Sequence, residues 1–291
     1  MANARRASLF LGIPLASMMA TGCLIIAGGQ CVWSCPPAVW KEATAEIPID
    51  PNGLTALEVR THNGAIDFTG QPAGTTSASA TVHKKAGGTT AADAEEAMNA
   101  IEVYVERSAD GTQRLGWRWK GVKKANWQAQ VAFAITAPGT LRFDAETHNG
   151  AVTASGVVGN ARIVTHNGKV KVASQEGELR AETHNGEIDV EYVGPKIVLV
   201  THNGEIEADL SHCGSIQGDI TTHNGAVEVA VGANTSASLS AETVNGRITF
   251  DAPIAASSIE RTHLKGKLGD GGDNLDIVTH NGSIQIKKAA G

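Results

Sequence analysis

Glu182-Thr183-His184-Asn185-Gly186-Glu187-Ile188-Asp189-Val190 places a four-residue polar break before a run that alternates charged and apolar side chains, and the break returns along the chain. Thr-His-Asn-Gly begins at Thr61, Thr147, Thr165, Thr183, Thr201, Thr222 and Thr279, and Thr-Val-Asn-Gly begins at Thr243. From Thr147 onward the starts are 18, 18, 18, 21, 21 and 36 residues apart. Recurrence of a tetrapeptide at a short fixed period marks a stacked-repeat architecture. Ile188 and Val190 share one face of an extended segment and Glu187 and Asp189 the other, which is the period of a half-buried strand. Asn185-Gly186 reads as a tight turn with both residues at positive φ, as do Asn149-Gly150, Asn167-Gly168, Asn203-Gly204 and Asn224-Gly225. A second breaker stands near mid-period at Gly177, Gly194, Gly214 and Gly232. Two strands and two corners therefore make one coil of 18 to 21 residues.

Asn-Gly is also the strongest short hairpin signal, so a β-meander is the competing architecture. The identity of the repeats favours a spiral. Parallel stacking at ~4.8 Å per coil presents the same residue of every coil to the same neighbour, and asparagines placed that way bond to one another up the stack. The predicted fold is all-β: a parallel β-solenoid, of helix or roll type, over residues 138–288. About seven coils would stand ~30 to 35 Å tall. The 36-residue interval reads as two coils, with Thr262-His263-Leu264-Lys265-Gly266 as a degraded copy of the motif.

Residues 46–71 read as a first coil, and 72–137 interrupt the pattern as a strand-helix insertion or cap. Within it Ala91 to Asn99 reads as a short helix with Asp93, Glu95 and Glu96 early, where the helix dipole favours acids. Ile101 to Glu106, Gln113 to Lys120 and Gln128 to Thr136 alternate as strands. Repeat stacks need capping modules at their ends. Three of the five tryptophans, Trp117, Trp119 and Trp127, fall here, as a contact patch or as core.

This order of elements is an early Asn-Gly strand turn, a short acidic helix, an alternating strand pair, a strand ending in Ala137-Pro138-Gly139, and then Thr-x-Asn-Gly coils. It resembles the bacterial putative adhesin family, a domain of unknown function, over roughly residues 45 to 288. The resemblance implies a β-solenoid exposed at the cell envelope and no catalytic residues. The regular histidine at the second motif position departs from the usual pattern of that family.

The N-terminus reads as an export signal over residues 1–22: Arg5 and Arg6, an apolar stretch from Ala7 to Met19, and small residues before Cys23. Ala20-Thr21-Gly22-Cys23 resembles a lipobox, which implies diacylglycerol on the Cys23 thiol, with 23–45 as a tether. Leu24 after the cysteine favours an outer membrane where the envelope has two. The alternative is an uncleaved membrane anchor, since apolar character continues through Leu24-Ile25-Ile26-Ala27. Cleavage would move the net charge from −6 to −8. An acidic chain of this kind has no cationic cluster for phosphates, which argues against a nucleic-acid partner. The partners expected are the membrane, through the lipid, and a cell-surface or envelope protein or glycan. In an oxidising compartment Cys31 and Cys35 could close a small disulfide loop, and Cys213 reads as a small apolar filler.

Histidine is concentrated on one repeat position: His62, His148, His166, His184, His202, His223, His263 and His280. If Ile188 and Val190 face inward, Thr183 faces inward and His184 outward, so the histidines form an exposed column. Three readings stay open: a duplicated, tolerated corner residue; a Zn, Cu or Ni site, for which His148, His166, His184, His202 and His223 are the candidates; and a pH response. Val244 and Leu264 are expected to interrupt the column. Glu187, Asp189, Glu205 and Glu207, interspersed with Lys169 and Lys171, read as a solvated face. Gly269-Asp270-Gly271-Gly272-Asp273-Asn274 occurs once and reads as a turn in preference to a calcium loop. The chain is expected to carry no cofactor beyond such a metal and not to be an enzyme. A polysaccharide-active β-helix, with clustered acids in a cleft, is the catalytic alternative.

Overall fold

The computed structural model describes the backbone of residues 23–27, 30–34, 39–75 and 77–289, and the side chains of 39–75 and 77–289. The export segment 1–22 and the side chains of Cys23, Cys31 and Cys35 lie outside the described residues. Cys23–Ala27 and Gln30–Ser34 pair antiparallel. Among the described residues no helix is long and apolar enough to cross a membrane.

Each coil contributes one strand before its motif and one after it. The strands before the motif lie in a leading sheet of 12 strands and those after it in a trailing sheet of 11, each sheet completed by strands that do not flank a motif. Equivalent residues lie directly over one another. In the trailing sheet Val152, Val170, Ile188, Ile206, Val227 and Ile284 are successive partners in parallel register. Period-2 alternation sends Val152 and Ala154, Ile188 and Val190, and Val227 and Val229 inward. There they meet Ile163, Ala181, Leu199 and Ile220 of the leading sheet in one continuous apolar core. The small side chains let two short strands per coil close on each other with few aromatics. Phe68 and Phe143, stacked at 4.3 Å, fill the wider cap end.

The cap is itself half solenoid. Thr112–Trp119 pairs parallel with Ala56–Arg60, and Gln128–Pro138 pairs parallel with Ile66–Gln71, so residues 112–138 form a rung without the motif. Beyond it the direction reverses. Ile101–Arg107 closes the leading sheet, and Ala78–Gly88 and Val39–Ile49 close the trailing sheet, all antiparallel. The expected helix runs Ala91–Ala100, with a capping box between Thr90 and Asp93, and buries Ala94, Ala97 and Met98. The strand Val39–Ile49 begins inside the segment read as tether, and the first motif-bearing coil proper is 56–71.

Two expectations need correction. Thr262-His263-Leu264-Lys265-Gly266 is not a coil. His263–Leu268 is a strand running antiparallel to both Ala237–Thr243 and Ile254–Ile259. Asn274–Asn281, the last strand of the leading sheet in sequence, lies between Gln217–Asn224 and Ala237–Thr243 and parallel to both. Ile284–Lys288 is likewise inserted between Val227–Val231 and Ile248–Phe250. Residues 269–273 carry the chain across the end of Ala237–Thr243, with Gly269, Gly271 and Gly272 at φ of 52°, 81° and 131°. Ser238 fastens this crossing: its N–H donates to the Asp273 carbonyl and its hydroxyl to the Gly272 carbonyl.

The second correction concerns the repeat glycines. None of them takes the left-handed conformation. Their requirement is room: a Cβ on Gly168, Gly186 or Gly204 would sit 1.8–1.9 Å from the glycine carbonyl oxygen of the rung before. Backbone of successive corners packs on backbone, and no side chain fits between.

Candidate functional site

Each motif residue has a separate task at the corner. The threonine ends a leading strand with its side chain turned inward, and Thr165, Thr201 and Thr279 are all buried. Its hydroxyl donates to the glycine carbonyl one rung away: Thr165 to Gly150 at 2.9 Å, Thr183 to Gly168 at 3.0 Å, Thr201 to Gly186 at 3.0 Å. The next residue points out, as alternation requires. From Asn149 onward each asparagine side-chain amide donates to the side-chain carbonyl of its neighbour, while that of Asn63 donates to the Ala129 backbone carbonyl. The ladder runs without a gap through Asn63, Asn149, Asn167, Asn185, Asn203, Asn224, Asn281 and Asn245, each bond 2.7–2.8 Å. A net contribution of about 0.5–1.5 kcal/mol for each such bond makes the ladder a sizeable share of a marginal stability.

Beside it stands the imidazole column. His62, His148, His166, His184, His202, His223 and His280 are exposed and stack with ring centroids 4.6–4.9 Å apart. From His166 to His280 the planes are parallel within 6°. At the cap end they tilt by 28° and 36°. The five metal candidates thus lie on one line, joined by His62 and His280, which share the repeat position. His263 lies outside the column, opposite Glu242. Neither expected interruption occurs. Asn245 bonds to Asn281 at the end of the ladder, so Val244 falls beyond His280, and the strand holding Leu264 is not a rung.

Among the described residues no carboxylate forms a salt bridge with a column ring. His148 Nδ1 lies 3.0 Å from Asn149 Oδ1, and among the described residues no other column ring has a hydrogen-bond partner in the protein. Of the carboxylates close to the column in sequence, Glu146 pairs with Arg60, Glu182 with Arg180 and Glu187 with Lys169. His166 titrates below the ordinary histidine range, first because its neighbours exclude water and then because His148 and His184 repel a second charge. Among the described residues no three His, Cys, Asp or Glu side chains converge on one point. What the column offers is neighbouring pairs of ring nitrogens.

The other candidates resolve into structure. Lys169 and Lys171 pair with Glu187 and Asp189 across adjacent rungs at 2.8 to 3.4 Å. Burial raises the Asp189 carboxyl, but Lys171 and Lys169 outweigh it and hold it below the usual range. The Cys213 thiol is buried and donates to the Tyr192 carbonyl at 3.2 Å; burial, then Asp209, push it up to about 12, so it is no nucleophile. Tyr192 was not singled out in the sequence. Its buried hydroxyl lies 3.0 Å from the Gly177 carbonyl and accepts from the Lys196 N–H at 2.9 Å, tying two mid-period corners together. A lone aromatic at an inward position next to Val193-Gly194 is the signal that could have found it. Of the tryptophans, Trp127 is buried and Trp117 and Trp119 are half-buried. Trp117 Nε1 donates to Thr61 Oγ1 at 3.1 Å, so the cluster forms the base on which the column starts.

Among solved structures, the chain is similar to a putative cell adhesion protein from Clostridium sporogenes, at 13% identity and a TM-score of 0.39, over 86% of this chain and 100% of that one. It is similar to a putative adhesin from Bacteroides fragilis at 16% identity and 0.39, over 86% and 97%. A putative lipid binding protein from Parabacteroides distasonis matches at 12% and 0.37, over 86% and 97%. No curated protein matches. The Toastrack DUF4097 family matches residues 29–287, nearly the span over which the motif order resembled adhesins of unknown function. With so much of its length covered, the chain belongs to the Toastrack DUF4097 family.

Proposed function

We propose that this chain is a non-catalytic adhesin or scaffold, exported and held at the cell envelope by lipid on Cys23, that presents its solenoid to a cell-surface or envelope protein or glycan. The observation that carries the reading is the uniformity of the rungs. At the motif corner one residue type repeats along each line of the surface, histidine on one and asparagine on the next, for about 29 Å measured along the imidazoles at one ring per rung. Such a surface suits extended contact with a partner. Catalysis asks for unlike groups converging in a cleft, whereas Glu187 and Asp189 lie in ion-paired ladders on a flat face. The adhesin descriptions of the solved structures agree with this reading.

The N-terminal signal supports the anchor: two arginines, an apolar run and Ala20-Thr21-Gly22-Cys23. Leu24 following the cysteine favours the outer membrane of a two-membrane envelope. Replacing Cys23→Ser tests it. The wild-type chain should incorporate labelled fatty acid and sediment with membranes, and the variant should do neither. A variant that still sediments points instead to an uncleaved anchor. Adhesion is tested by comparing cells with and without the chain on immobilised envelope proteins and glycans; equal attachment rejects the adhesin reading.

A further inference from the structure

We infer that the imidazole column is a linear site for borderline transition-metal ions, Zn(II), Cu(II) or Ni(II), each held by two rings on neighbouring rungs with water completing its coordination. The inference goes beyond adhesion and rests on four features. First, the donors are available. Six of the seven rings make no hydrogen bond to the protein among the described residues, and a neutral imidazole always carries one in-plane lone pair. Second, the donors are adjacent. Rung spacing sets the rings 4.6–4.9 Å apart, whereas two nitrogens that share an ion at ~2.0–2.1 Å must approach within about 4 Å of each other. A modest turn of one or both rings closes that difference.

Third, the rings can make that turn. They are exposed, and the pairs at the cap end already depart from parallel by 36° and 28° while keeping the same separation. Fourth, the backbone beneath cannot drift apart. On each rung the asparagine N–H donates to the histidine carbonyl of the rung before, as Asn167 does to His148 and Asn185 to His166, both at 2.8 Å. The amide ladder repeats the tie one residue away. A pair of donors carried on one rigid body is organised before the ion arrives. Imidazole nitrogen selects Zn, Cu and Ni and discriminates against Mg and Ca, which prefer oxygen. Seven rings taken in adjacent pairs hold about three ions per chain.

The test compares two variants of the full chain, purified without a histidine tag, that keep the same number of imidazoles. His62→Ala/His148→Ala/His166→Ala leaves His184, His202, His223 and His280 on consecutive rungs. His148→Ala/His184→Ala/His223→Ala leaves His62, His166, His202 and His280, none on neighbouring rungs. All the replaced side chains are exposed, and the threonine and asparagine ladders are untouched, so circular dichroism should show both variants folded. In calorimetric titration with zinc or copper, the wild type is expected to bind about three ions at micromolar concentration and the consecutive variant about two. The alternating variant should bind on the order of a hundredfold more weakly, the low end of what linking two sites confers. Copper bound to the consecutive variant should show coupling to two imidazole nitrogens by electron paramagnetic resonance. No heat from the wild type at micromolar metal, equal affinities in the two variants, or coupling to a single nitrogen would each overturn the proposal.

Discussion

From Thr147 to Val231 each rung lies on the rung before it in sequence, whereas beyond Ala237 the chain passes over one place in the stack and fills it last. The contacts in the two regions are nevertheless the same. Thr183 donates to Gly168 in the middle, and Thr279 and Thr243 donate to Gly225 and Gly282 at the end, at 2.8 to 3.0 Å. The amide ladder crosses the change in chain order unbroken. A motif that is complementary to itself along the stack accepts any copy as its neighbour, so loops and not motif chemistry decide the order of rungs.

The largest effect should come from removing the late rung. Without residues 273–291, Ala237–Thr243 and Ile248–Phe250 lose their parallel partners, and Ile220 and Val227 lose the covering rung. Because neighbouring rungs hold one another and little else, unfolding should spread locally and then stop. Amide hydrogen exchange is expected to show residues 237–268 as unprotected as an unfolded chain, with 161–210 unchanged. Retained protection in 237–268 would mean that the antiparallel hairpin stands alone and that the insertion is incidental to it.

Next in size is a contrast between two glycines. A methyl group on Gly186 meets the Gly168 carbonyl oxygen at 1.9 Å, while one on Gly214 meets nothing within 4 Å. Gly186→Ala should cost about 3 kcal/mol, since rungs must part to admit it. Gly214→Ala should be neutral or stabilising by a few tenths, through the unfolded chain. Urea unfolding measures both. A cost below about 1 kcal/mol for Gly186→Ala would show that the corners have slack the geometry does not reveal.

The stack was legible in the sequence because its signal is redundant. Thr183, Asn185 and Gly186 recur together, and one period places threonine inward and histidine outward. The reason for glycine was not legible, because a positive φ and a close backbone approach both select glycine and leave the same letter. The order of the last rungs was hidden for a related reason: Asn245 and Asn281 are equally good partners for Asn224. Two features did carry a hint. Val244, which cannot stack as an imidazole, belongs at the end of a column and not in its middle. Gly269, Gly271 and Gly272 supply the positive φ angles a crossing needs. Ser174, at φ 57° beside a register shift, marks an irregularity that neither pattern nor composition announces.

The asparagine ladder gives a sharper test of that order, with a smaller effect. Asn281 bonds to both Asn224 and Asn245, and Asn245 bonds to Asn281 alone. Asn281→Ala should therefore cost about 1–2 kcal/mol and Asn245→Ala roughly half as much. Were the rungs stacked in sequence order, Asn245 would be the one with two neighbours, and the ranking would reverse.

The smallest effect separates the middle of the column from its end by pH. His166 has a ring on either side, whereas His280 has His223 on one side and the valine rung on the other. In the folded chain His166 titrates below its unfolded value of 6.5. Between those two values the unfolded chain binds more protons, so stability present above pH 6.5 is lost progressively as pH falls toward the folded pKa. Among the described residues His166 and the rings on either side of it form no salt bridge, and Glu146, Glu182 and Glu187 face Arg60, Arg180 and Lys169 instead. The melting temperature of the wild type should decline through this window, above the range where carboxylates titrate. His166→Ala should flatten the decline more than His280→Ala, because it removes two repulsive contacts and leaves the remaining rings farther apart. A melting temperature that holds steady or rises on acidification would mean that the rings move apart once charged, which the parallel strands beneath them resist only at the backbone.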